Sequence, residues 1–164
     1  MPLFLLWLRP EKQNNNTKEK YMEKIIFDNG IRDYKLGSGV LRFNPGDPNL
    51  YARFLEAAEK IQAMEKELLQ QAKTMESSGE HVVKLLQEAD SKMKQTLGWV
   101  FGEANDFDKL LGGVNLLAVA SNGERVVTNL FNALQPILVA GAKALTKEKV
   151  DAAVSKAASR RTGN

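Results

Sequence analysis

The chain has 164 residues, no cysteine, 43% hydrophobic and 26% charged residues, and a formal charge of +3. That length suits one domain with a single hydrophobic core, and the composition is that of an ordinary globular protein. Zero cysteines exclude disulfides, thiolate nucleophiles and sulfur-ligated zinc, and they fit a reducing compartment. The charge is uneven: residues 1–22 carry +2, residues 142–164 carry +4, and the stretch between them carries −3. The basic character belongs to the ends, so the body is not a polyanion binder on charge grounds.

Met1 to Leu8 is apolar and Arg9 to Tyr21 is polar. The apolar run is too short to span a bilayer, and its positive charge follows it rather than preceding it as a signal peptide requires. Codons for Lys18-Glu19-Lys20 can spell a ribosome-binding site just upstream of Met22. Translation is therefore expected to start at Met22, with residues 1–21 a disordered or non-native leader.

Ile25-Ile26-Phe27 favours strand, and Asp28-Asn29-Gly30 is a turn signal because Asn and Gly tolerate positive φ. Further short strands are expected around Arg32–Leu36 and Val40–Phe43, broken at Gly37-Ser38-Gly39. Asn44-Pro45-Gly46-Asp47-Pro48 ends the β region. Residues 23–44 thus read as a small hairpin or three-stranded meander that needs a helix to cover it.

Asp47 as N-cap and Pro48 at the first helical position open a helix that runs to about Lys73. Leu50, Phe54, Ala57, Ile61, Met64 and Leu68 recur at spacings of four and three, one apolar stripe. Ser77 with Glu80 fits a capping box opening a second helix, striped by Val82, Leu86, Ala89, Met93, Thr96 and Val100. Val83, Leu85, Leu97 and Phe101 widen that stripe. Two such helices joined by a short loop make a long antiparallel hairpin. Neither stripe satisfies the other, so closure comes from the C-terminal half of the chain or from a homo-oligomer.

Asn105 or Asp106 is placed to cap a short helix through Leu111. Ser121 with Glu124 reads as another capping box, opening a helix to about Val139 that Pro136 kinks or ends. The expected architecture is mainly α (α+β), with residues 22–141 forming one domain. Residues 142–164 read as a basic, marginally helical tail, solvated rather than a nucleic-acid arm.

Little in the sequence carries chemistry. His81 is the only histidine and reads as a solvated residue in a helix's first turn. Asp106 and Asp108 on a loop are better explained by helix capping than by catalysis or cation binding. Gly112-Gly113 and Ser121-Asn122-Gly123-Glu124 lack the spacing and the Lys-Ser or Lys-Thr of a phosphate loop. No serine has the flanking glycines of a nucleophile elbow. No catalytic residue, cofactor or metal is expected. Candidate partner-binding residues are Phe54, Ile61, Met64 and Leu68 on the first stripe, and the aromatics Trp99, Phe101 and Phe107. For all of these a place in the core is the simpler reading.

Three segments carry a resemblance: Lys24-Ile25-Ile26-Phe27-Asp28-Asn29-Gly30, the run from Val40 to Phe54 (VLRFNPGDPNLYARF), and Leu110-Leu111-Gly112-Gly113-Val114-Asn115. They resemble a family of phage and prophage proteins from Gram-positive bacteria, over about residues 22–141. The resemblance implies a start near Met22 and leaves the basic tail outside the match. In size and layout such proteins look like tail-assembly chaperones. That implies a non-catalytic protein of the bacterial host cytoplasm whose partner is a helical tail (tape-measure) protein with exposed apolar stripes. Two other readings stand beside it: a structural component that stays in the virion, and a small regulator that touches nucleic acid through the basic tail.

Overall fold

The computed structural model describes residues 22–74 and 79–163. The leader at 1–21 and the Ser77 half of the Ser77–Glu80 capping box lie outside them. The architecture is mainly helical behind a two-stranded antiparallel sheet. Its strands are β1 (Arg32–Leu36) and β2 (Gly39–Phe43). Arg32 pairs with Phe43, Tyr34 with Leu41 and Leu36 with Gly39 around a turn in which Gly37 adopts φ +58. That conformation favours a residue without Cβ.

The segment Ile25-Ile26-Phe27 is not a strand, so the meander reduces to its last two members. The Asp28-Asn29-Gly30 turn does form, but through side chains. Asp28 Oδ1 accepts the Gly30 N–H at 2.8 Å and Asn29 Oδ1 accepts the Ile31 N–H at 3.1 Å. Asn and Asp side chains compete in this way with the backbone ladder a hairpin needs.

The first long helix, α1, spans Pro48–Thr74. Asp47 starts it, its carboxylate accepting the Asn49 N–H at 2.9 Å. The second, α2, spans Gly79–Phe101, and the two form the helical hairpin. The stripes sink near the body, but Val83, expected to widen the second, is 54% exposed. Leu50, Phe54, Ala57 and Ile61 of α1 and Met93, Leu97, Val100 and Phe101 of α2 are buried. Toward the hairpin tip Met64, Leu68, Leu86 and Ala89 are only partly covered.

Closure comes from the same chain. A short α3 (Phe107–Leu110), the loop residues Leu116 and Leu117, and a long α4 (Val126–Thr162) join the core with Leu41 and Phe43. Phe101 sits among three aromatic rings, 5.1 Å from Phe43, 5.6 Å from Phe107 and 6.5 Å from Phe54. Phe54 in turn lies 5.1 Å from Phe131 of α4. Hairpin, helices and C-terminal half thus share one apolar centre.

Two expectations for the C-terminal half are corrected. Ser121 and Glu124 do not cap a helix. Ala118–Val126 instead closes on itself through Ala120 N–H to Glu124 O, Val126 N–H to Ala118 O and an isolated bridge between Val119 and Arg125. Asn122 Oδ1 accepts the Glu124 N–H, and α4 begins only at Val126, without a side-chain cap. Nor does Pro136 end the helix: α4 continues to Thr162, 37 residues in all. Proline removes one bond, to the carbonyl four residues back. That residue, Asn132, lies on the exposed side of α4, where water can replace the lost donor. Among the described residues no helix is long and apolar enough to cross a membrane.

Candidate protein-binding surface

The seven candidate partner-binding residues separate by burial. Phe54, Ile61, Phe101 and Phe107 are between 2% and 6% exposed, so they are core side chains rather than surface anchors. Met64 and Leu68 are half-buried and line a shallow cleft with Leu85 and Ala89 near the hairpin tip. Trp99 alone presents a large face, at 45% exposed. Lys60 Nζ of α1 stands 4.7 Å from its ring centre, a cation–π contact, and is also 2.8 Å from Glu56 Oε1. The expected aromatic cluster is therefore divided, because Trp99 follows the outer face of α2 while Phe101 turns inward.

Among the described residues one cation is buried, and it lies beside Phe107. Lys94, 8% exposed, reaches Asp90 at 2.8 Å one helical turn earlier and Asp108 of α3 at 2.7 Å. Asp90 Oδ1 also accepts the Leu116 N–H at 2.8 Å. Burial by itself pushes the Lys94 amine down, but hydrogen bonds to Asp108 and Asp90 and their charges outweigh it and hold the amine above the ordinary lysine value. A lysine so neutralised is a fastener for α2, α3 and the Leu116 loop. Asp106 caps α3, accepting the Asp108 and Lys109 N–H groups, so the Asp106–Asp108 pair serves structure. Gly112 and Gly113, at φ +62 and +74, end the same helix, with the Gly113 N–H donating to Asp108 O. His81 is exposed in the first turn of α2.

Residues with no prior claim carry the rest of the surface. Every described residue of α4 from Thr146 to Thr162 is exposed, so the tail is a helix that stands clear of the body. Along it Thr146, Val150, Ala153 and Ala157 recur at spacings of four, three and four, and Val150 and Val154 are 55% and 62% exposed. Lys147 and Arg161 flank one side of this seam, and Lys149 and Lys156 the other, the positions that decide pairing between helices. The seam leads back to a groove lined by Tyr51, Val139 and Ala142. The spacing was legible in the sequence. That it continues one helix from the core through Pro136 was not.

Ile25, Ile26 and Phe27 are 86%, 84% and 73% exposed, three consecutive large apolar side chains that no other described residue covers. No family model, curated protein or solved structure matches this chain.

Proposed function

We propose that this chain is a non-catalytic protein-binding module. More narrowly, we read it as a cytoplasmic tail-assembly chaperone of a phage or prophage, acting on a long helical tail protein. The observation that carries the reading is the free half of α4, with its apolar seam between two rows of Lys and Arg. A helix with an apolar stripe and charged flanks is the usual complement of such a surface. Because both flanks have one sign, a second copy of α4 is repelled while a helix with acidic flanks is attracted. Seam residues as small as Ala153 and Ala157 suit contacts that form and release, as a chaperone needs.

The test is a pull-down with the tagged full chain from an induced lysate of the source strain, read by mass spectrometry. Enrichment of a long helix-rich tail protein, reduced by Val150→Glu, supports the chaperone; recovery of the bait alone rejects it. Finished particles should lack the chain, whereas a structural virion component would remain in them.

The basic row on α4 also favours a second reading, a regulator that touches nucleic acid. It requires DNA binding that weakens steeply with salt and is lost on deleting residues 142–164.

A further inference from the structure

Two features of the hairpin end complement each other. One is the extended arm from Met22 to Asn29, bearing Ile25, Ile26 and Phe27 in full exposure. The other is a groove of about 500 Å³ between the Gly30–Tyr34 end of the hairpin and α4, walled by Ile137, Ala140, Ala144 and Leu145.

Among the described residues, the sheet beside this groove has an open edge. Arg42 of β2 bonds outward, its N–H and carbonyl both held by Asn105, so the Arg42–Asp33 pair exchanges no backbone hydrogen bonds across the ladder and is joined only by its side chains. The backbone polar groups of Asp33, and of Lys35 two residues on, therefore point to the free side of β1. An unpaired edge of this kind is a template for another strand.

The chain's own arm does not supply that strand. The N–H groups of Gly30 and Ile31, which a fold-back would recruit first, are already taken by Asp28 and Asn29. The Asn29 carbonyl is taken as well, accepting from Asn44 Nδ2 at 2.9 Å. The root is thus held by its own side chains, and residues 22–29 form no strand against β1.

We propose that the arm of one copy docks on a second copy. It adds a strand to the open edge of β1 and places alternate apolar side chains over the groove against α4. Donor and acceptor sit on the same chain, so the exchange is reciprocal and closes as a two-fold dimer. Alternation puts Ile25 and Phe27 on one face of the added strand and Ile26 on the other. This inference is independent of the chaperone reading, and its test involves no partner protein.

The natural absence of cysteine makes that test direct. Phe27→Cys in one full-length chain and Ala144→Cys in a differently tagged chain are mixed and oxidised. A disulfide-linked heterodimer is expected, and a chain carrying both substitutions should give covalent dimers. An intrachain disulfide in the doubly substituted chain, or none in either experiment, overturns the proposal. By sedimentation the unmodified protein should approach twice the monomer mass as its concentration rises. The Ile25→Asp/Phe27→Asp variant should dissociate at least tenfold more readily with an unchanged circular dichroism spectrum, since the arm lies outside the core. A monomer at every concentration likewise overturns it.

Discussion

Asn105 completes the outer edge of β2 with a side chain. Its Oδ1 accepts the Arg42 N–H at 2.9 Å and its Nδ2 donates to the Arg42 carbonyl at 2.9 Å, while the same amide reaches the Phe101 carbonyl at 2.8 Å. One residue thus stands in for a neighbouring strand and ties the sheet to the end of α2. Asn105 is 7% exposed, and its bond to the Phe101 carbonyl is buried while those to Arg42 are part-buried. Asn105→Ala should destabilise the protein by about 2 kcal/mol, because it breaks all three bonds and leaves the buried Phe101 carbonyl unpaired. Denaturant unfolding measures it. Asn105→Asp should recover none of the loss, since its second carboxylate oxygen would face the Arg42 and Phe101 carbonyls to which Nδ2 now donates.

Lys94 gives a prediction in both stability and pH. Replacing it with Met strands Asp90, and to a lesser degree the more exposed Asp108, at a cost of about 2 kcal/mol. Its pKa is raised in the folded state, so the stability it adds is fully present below the ordinary lysine value and is lost as pH rises through the folded one. The difference between the natural chain and Lys94→Met should stay level from pH 7 to about 10, and shrink above that range. A difference that changed near neutral pH would contradict this assignment.

Gly141 marks a close approach of α4 to the loop before α1. A Cβ there would run into the carbonyl of Pro45 and the adjoining Gly46 nitrogen. Those are backbone atoms with no rotamer to yield, so Gly141→Ala should destabilise by about 2 kcal/mol despite its better helix propensity. In the exposed part of α4, Ser155→Ala should be neutral or slightly stabilising. Thermal melts of the two variants read the contrast.

Core and surface aromatics should separate in the same way. Phe107→Ala, at a ring 2% exposed, should lose about 3–4 kcal/mol. Trp99→Ala removes a half-exposed ring and its Lys60 contact, and should lose about 1 kcal/mol. If Trp99 belongs to the docking surface, its variant stays folded yet recovers less partner in the pull-down.

Periodicity alone determined the helical hairpin. The stripes from Leu50 to Leu68 and from Val82 to Val100 needed only the 3.6-residue turn to read, and Asp47-Pro48 needed only capping chemistry. The β2 strand and the Gly37-Ser38 turn were legible for similar local reasons.

Tertiary structure decided what depends on position in three dimensions. Phe101 and Trp99 are two residues apart and equally apolar, but only the helix's rotation against Phe43 and Phe107 puts one inside. Asn105 looked like a helix cap and became a strand's partner because β2 lies alongside it. The i,i+4 spacing of Asp90 and Lys94 was visible, but their burial required α3 to bring Asp108. Ser121 and Glu124 matched a capping pattern, yet Asn122 Oδ1 takes the Glu124 N–H, and the Glu124 carbonyl accepts from Ala120 beside the Val119–Arg125 bridge. Ile25-Ile26-Phe27 had the propensity of a strand and remained without one, because propensity supplies no partner edge.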